Sequence, residues 1–265
     1  MRLLFVGDVF GSPGRRVLKP GLRQLRARHA PDLVVVNGEN AAAGAGITPE
    51  IAEEIFRAGA DVITSGNHVW DRKEVVPLLE RNGRVLRPAN YPDPAPGSGV
   101  CLLEAADGTP AAVVNLQGRV FMVAVDDPFR AMDAILHELQ GRARVVVVDF
   151  HAEATSEKLA FAWYVDGRVT AVLGTHTHVP TADARLLSRG TAFVCDVGMT
   201  GPYASVIGMD KDVVVERFLT QRPLRMVPAE GGDVRVAAVL VDCGEDGRAH
   251  AIARVDLAEG DLAKG

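Results

Sequence analysis

No stretch of the 265-residue chain is apolar for anything near the roughly 20 residues that a bilayer-spanning helix needs. The first apolar run, LLFVG (3–7), is far too short for the core of a secretory signal. These absences predict a cytoplasmic protein without a membrane partner. Positive charge is not in excess either: 29 Lys and Arg face 34 Asp and Glu, a formal net charge of −5. Such a balance offers no general attraction to duplex DNA. Cysteine is scarce, and Cys101, Cys195 and Cys243 stand far apart among apolar neighbours with no CxxC pair. That spacing speaks against a thiolate zinc site or a redox pair and predicts buried, reduced thiols. Internal repeats and low-complexity linkers are absent as well. The most proline- and glycine-rich stretch, PANYPDPAPGSG (88–99), reads as a connecting loop, so the chain is expected to form one domain over 1–265.

What is present is a regular alternation. LLFVGD is followed by GRRVLKPGLRQLRARH, DLVVVNGEN by a helix starting at Thr48-Pro49, and DVITSGNH by KEVVPLLERNG. Thr48 suits an N-cap, Pro49 the first helical position and Gly59 the stop. The β-type runs are apolar on both faces, as strands covered on both sides should be. Beyond Gly99 the pattern becomes mixed. GVCLLEAADGTPAAVVNLQG reads as two antiparallel strands joined around Asp107-Gly108. RVVVVDFH and VTAVLGTHTH are further strands, and hairpin-like segments fill the last third. The pattern predicts an α/β fold with two sheets packed face to face and helices outside. The terminal GDLAKG is expected to fray.

Chemistry-bearing residues fall just past the ends of the apolar runs. Asp8 follows the first, Glu39 and Asn40 the second, and Asn67 and His68 the third. His151 ends RVVVVDFH, and His176 and His178 end VTAVLGTHTH, two positions apart so that an extended segment would point both imidazoles the same way. Open α/β sheets place their sites beyond the carboxyl ends of the strands. One ion needs three or four ligands, and more groups than that converge here. Two ions bridged by Glu39 account for them better. The donors are oxygen and nitrogen without thiolate, which suits iron, manganese or zinc. Such a pocket would keep positive charge and attract a phosphate ester.

The motifs GD (7–8), GEN (38–40), GNH (66–68), His151 and GTHTH (174–178) resemble, in order, those of the metallophosphoesterase (calcineurin-like) superfamily. Two departures, Val9-Phe10 where the superfamily has x-His and Glu39 where it has Asp, resemble its YmdB-type bacterial branch. So do GDVFGSPGR, VNGENAAAGAGIT, TSGNHVWD, RPANYP and DVGMTGP. The resemblance implies a four-layer α-β-β-α sandwich and hydrolysis of 2′,3′-cyclic nucleotides to 3′-nucleotides. Carried over by position, Asp8, Glu39, Asn40 and His178 would hold one metal. Glu39, Asn67, His151 and His176 would hold the other, and Asn40 would replace the missing histidine. Iron or manganese is expected, with zinc as an alternative. The substrate would be a small phosphodiester, a cyclic nucleotide or an RNA end, and a homo-oligomer is compatible with the sequence.

His68, beside Asn67 but not needed as a ligand, is the candidate general acid. Asp71 either orients it or caps a helix. Two other readings stand beside the diesterase: a broad phosphomonoesterase using the same centre, and a metal-bound regulatory protein of RNA processing with little turnover. Elsewhere the plain readings hold. His29, His137 and His250 are expected at the solvated surface, as are Arg15, Arg16, Glu153, Glu157 and Lys158. Trp70 and Tyr203 are expected to pack. GDVFGSPGRR lacks the Lys-Ser/Thr of a phosphate-binding P-loop, and its glycines read as a turn.

Overall fold

Alternate residues of each apolar run face opposite sides of a sheet, and both sides are covered. In the computed structural model, which describes residues 1–262, two sheets stack face to face. In the first, β1 (Arg2–Val6), β2 (Leu33–Asn37) and β3 (Val62–Thr64) run parallel. The second contains an antiparallel hairpin, β4 (Val100–Glu104) and β5 (Pro110–Gln117), followed by β6 (Val145–His151) and β7 (Ala171–Thr175) parallel to β5. β9 (Ala192–Val194) continues it in parallel, and β8 (Arg185–Leu186) pairs antiparallel at its edge.

A small third sheet joins β10 (Gly201–Pro202), β11 (Val234–Val236) and β14 (Leu257–Ala258). β12 (Ala238–Cys243) and β13 (Ala249–Arg254) complete the first sheet, in the order β13-β12-β1-β2-β3. The five site-bearing strands are therefore divided, three in one sheet and two in the other.

Leu3, Phe5, Val35 and Val62 face Val113, Val147, Leu173 and Val194 between the sheets. The other faces carry helices. Leu4, Val6, Val34 and Val36 pack on α1 (Gly11–His29) and α2 (Pro49–Ala58), with α3 (Val75–Arg81) beside them. Val114, Val148 and Phe150 pack on α4 (Pro128–Leu139) and α5 (Thr155–Tyr164). This is the four-layer α-β-β-α sandwich. Thr48 caps α2 by accepting from the Ile51 amide, and Gly59 ends it in the left-handed region. α6 (Lys211–Thr220) lies between β10 and β11 in chain order.

Three local expectations change. Of the glycines of GDVFGSPGRR, expected in a turn, Gly11 and Gly14 lie in the first turn of α1, which starts at Gly11. Gly260–Leu262 is tied down by a 3₁₀ turn (Glu259–Asp261) and an Arg16–Glu259 ion pair; 263–265 of the expected frayed tail lie outside the described residues. Arg15, expected at the solvated surface, is only partly exposed: it donates to the Ala41 carbonyl and pairs with Glu54. Among the described residues no helix is long and apolar enough to cross a membrane.

Candidate metal centre

The strands of both sheets end at a common edge. Asp8, Glu39 and His151 are fully buried there, and one ligand atom from each lies within 4.8 Å of the others. Among the described residues this is the one such group of three, able to hold one ion. Asn67, His176, His178 and Asn40 surround it. His151 Nε2 lies 2.5 Å from Glu39 Oε2, 3.1 Å from Asn67 Oδ1 and 3.0 Å from His176 Nδ1. His178 Nε2 lies 3.3 Å from Asn40 Oδ1 and 3.9 Å from Asp8 Oδ1. All seven residues named from the sequence thus stand within one constellation.

The hydrogen bonds behind these groups decide which atoms face inward. Glu153 Oε2 is 3.1 Å from His176 Nε2, and a carboxylate only accepts, so His176 keeps its hydrogen there and turns the Nδ1 lone pair to the centre. Ile207 O accepts from His178 Nδ1 at 2.9 Å, which leaves Nε2 free. The amide nitrogen of Asn40 donates to Gly44 O, so its oxygen faces His178. Glu39 is aimed by two backbone amides: its own N–H donates to Asn37 Oδ1, and that of His68 to Glu39 Oε1.

Whether an ion fits can be judged from what stays unpaired. Asp8 Oδ1 and Glu39 Oε2 are buried without a hydrogen-bond partner, Glu39 Oε2 touching His151 Nε2 in poor alignment for one. Lone pairs from two carboxylates, two amide oxygens and three imidazoles converge on the same space. In a native protein an orphaned buried acceptor of this kind calls for an explanation, and a cation supplies it.

Without a cation the electrostatics are unbalanced. Burial raises the Asp8 carboxyl above the ordinary carboxylate range, although His178 and His151 pull it back. Burial acts the same way on Glu39, but the charge of His151, helped by the His68 amide, outweighs it and holds that carboxyl low. His151 in turn resists burial through Glu39 and is pushed up to about 9. Burial, then the charge of His151, drives His176 down to about 3. The sign for His151 follows: its stabilising contribution is complete below the unfolded value near 6.5 and disappears as pH rises through about 9. Asp149, raised to about 7 mainly by burial, acts in the same direction, since its folded form resists ionisation and costs stability once pH exceeds the unfolded carboxylate range. That cost also grows with pH up to about 7, so both groups make the protein less stable as pH rises through neutrality. Chelator-treated protein should therefore melt at progressively lower temperature between about pH 6.5 and 9. A melting temperature that holds or rises over that range would contradict this pairing.

The face-sharing argument for His176 and His178 does not survive. β7 stops at Thr175, and the two histidines lie beyond it at φ 96° and 65°. Non-glycine residues held there store about 1–3 kcal/mol each. The loop is clamped by Asp196, whose Oδ2 accepts from both the amide and hydroxyl of Thr177, and by Lys158 Nζ at 3.0 Å from the same oxygen. Lys158 is thus buried, not solvated. Glu157 is buried as well, accepting from the amides of Arg119 and Val120. Glu153 is exposed, as expected, yet its carboxylate lies 3.1 Å from His176 Nε2. Sequence reasoning missed these because their partners come from distant segments. One signal was available: Glu153 follows the His151 strand by two residues.

Phe10, standing where the superfamily has histidine, offers no ligand. Its buried ring meets His178 edge-on at 5.7 Å. Gly208 lies against the ring, where a methyl group would come within 2.7 Å of its carbons. Phe10, Ile207 and Met209 form one wall of an open cleft of about 340 Å³ that also holds His68 and Glu153. His68 Nδ1 is 2.8 Å from Asp71 Oδ2. Asp71 caps no helix, since α3 begins four residues later with Glu74 at its cap.

The family profile described as "YmdB-like protein" matches residues 4–255. The 2′,3′-cyclic-nucleotide 2′-phosphodiesterase of Bacillus subtilis (strain 168) is 48% identical over 242 residues, 91% of each chain. A crystal structure of a hypothetical protein from Thermus thermophilus superposes with a TM-score of 0.91 at 47% identity, covering 98% of this chain and 100% of that one. The crystal structure of a novel phosphatase from Mycoplasma pneumoniae also gives 0.91, at 31% identity, covering 97% and 93%.

Proposed function

The chain belongs to the YmdB-like protein family, and from that premise we propose that it is a metal-dependent phosphodiesterase opening 2′,3′-cyclic nucleotides to 3′-nucleotides. The observation that carries this reading is the convergence of oxygen and nitrogen donors around buried Asp8, Glu39 and His151, beside an open cleft that Asn40, His176 and His178 line. Two ions are proposed. Asn67 Oδ1, His151 Nε2 and His176 Nδ1 group on one side, while Asp8, Asn40 and His178 group on the other, with Glu39 shared. The mixture of carboxylate, amide and imidazole favours iron or manganese, with zinc as an alternative. When bound, such ions supply Lewis acidity towards phosphoryl oxygens and activation of water at neutral pH.

The chain's own residues do the rest. Glu153 and Ile207 hold the ring hydrogens of His176 and His178 away from the centre. Asp71 orients His68, whose other ring nitrogen is left to donate a proton to the departing 2′-oxygen. The apolar wall of Phe10, Ile207 and Met209 limits water on one side of the cleft. The family match over 4–255 supports a single domain, and three buried free cysteines support a reducing, cytoplasmic setting.

Two experiments test the reading. Turnover of 2′,3′-cyclic AMP, bis-nitrophenyl phosphate and nitrophenyl phosphate, with metal content measured on the same sample, should favour the diesters. Turnover of the monoester alone would move the assignment to a phosphomonoesterase, and metal without any turnover would favour the regulatory reading. His68→Ala should retain the metal and lose about 10²–10⁴-fold on 2′,3′-cyclic AMP. The loss should shrink on the nitrophenyl diester, whose leaving group needs no proton. Loss of metal in that variant would remove His68 from the acid role.

A further inference from the structure

Directly beneath the centre lies a carboxylate that no step above uses. Asp149 on β6 is fully buried and is surrounded by donors from three other strands. Its Oδ1 accepts from Thr175 Oγ1 at 2.7 Å. Its Oδ2 accepts from Thr64 Oγ1 at 2.5 Å and from Asn37 Nδ2 at 2.9 Å. Asn37 and Thr64 belong to the first sheet, and Thr175 to the second, so this one side chain joins the two sheets at the edge where the site forms.

Two consequences reach the candidate ligands. Thr175 has a single hydroxyl hydrogen, committed to Asp149, so towards His151 Nδ1, 2.8 Å away, it can only accept. His151 therefore keeps a hydrogen on Nδ1, and Nε2 is the nitrogen free to bind. Asn37, with its amide nitrogen committed to Asp149, must turn its oxygen to the Glu39 amide, 3.0 Å away.

We propose that Asp149 is a positioning residue: through Thr175 it fixes which nitrogen of His151 faces the metal, and through Asn37 it aims Glu39. Carboxylates behind ligating histidines commonly act in this way, but here the carboxylate works at one remove, through a hydroxyl. The inference rests on the metal reading for its purpose, though not for the proton's location.

The test uses ¹⁵N-histidine-labelled protein, chelator-treated and zinc-loaded, with zinc as the probe ion. In both states the parent should show a His151 Nδ1–H resonance protected from exchange, and zinc should bind through Nε2. Thr175→Val, which leaves Asp149 its other two donors, should lose that protection and bind zinc about 10–100-fold more weakly. Thr175→Ser should restore both. Asp149→Asn provides a second reading. Its amide either turns the Thr175 hydroxyl towards His151 or confronts the Asn37 amide, and both orientations should weaken zinc binding. An unprotonated Nδ1 in the parent, a protected signal surviving Thr175→Val, or unchanged zinc affinity in both variants would overturn the proposal. A parent with the protected Nδ1–H but no affinity for zinc would instead count against the metal reading.

Discussion

Glu39→Gln is expected to lower turnover of 2′,3′-cyclic nucleotides by about 10³-fold or more and to cut bound metal to at most about half. The carboxylate is fully buried, its Oε1 receives the His68 amide, and its Oε2 has no hydrogen-bond donor. Glutamine can satisfy only one side. With its oxygen towards His68, it points an NH₂ at the space shared by Asp8 and His151; with its oxygen towards that space, it sets a donor against the His68 amide. Either orientation removes one of two negative charges from a buried site, and about 1.4 kcal/mol is already tenfold in rate. Metal analysis and turnover on the same sample, alongside a melting curve, provide the check. A folded Glu39→Gln protein with full metal and more than a tenth of parent activity would remove Glu39 from the proposed ligand set.

The charge change also has a signature in the chelator-treated protein. Glu39 is the main cause holding the His151 imidazole up to about 9, against the burial that would lower it. Without that charge, the loss of stability as pH rises above 6.5 should flatten. This separates loss of the pairing from general damage to the fold, since a merely destabilised protein would keep the same pH slope at a lower melting temperature.

The parts of the site legible in the sequence are those in which one short segment carries both the strand and the functional group. Asp8, Glu39-Asn40, Asn67-His68 and His151 each follow an apolar run that had to be a strand, and strand ends are where α/β sheets gather their chemistry. The hairpin around Asp107-Gly108 and the cap at Thr48 were legible for the same reason: turn and cap preferences act over a few residues. What escaped depends on distant partners. Lys158 reads as solvated charge until Asp196, 38 residues away, is seen to lie against it in the core. Asp149 reads as one polar residue in VVVVDFH until three donors from other strands meet it. His176 and His178 were expected on a strand because their spacing suits one, yet the chain had already left β7. Their left-handed backbone is imposed by the clamp on Thr177, a tertiary effect with no local signature. The division of five site strands between two sheets escaped likewise, because apolar runs alone do not say which strands pair.

Gly66→Ala is expected to be nearly as damaging as the loss of Glu39, although it adds only a methyl group and removes no charge. Gly66 follows β3 and precedes Asn67, and a Cβ built on it would overlap both the His151 imidazole and Glu39 Oε2. The space it would enter is the one between the two donors, where the ion is proposed to sit. The backbone has little room to retreat. The Ser65 amide donates to Asn115, the Ser65 hydroxyl to Leu86 O, and the Val69 amide to Gly66 O. Relief must then come from the imidazole or the carboxylate, and moving either dismantles the ligand set. The expected result is metal content near zero, turnover down by about 10³-fold, and a melting temperature lowered in the chelator-treated protein as well, since overpacking typically costs about 1–3 kcal/mol. Gly83→Ala serves as the matched control, because a methyl there meets nothing within 4 Å, and it should leave metal, turnover and melting unchanged. Full metal and parent-like turnover in Gly66→Ala would mean that the reacting centre is not enclosed by Gly66, Glu39 and His151.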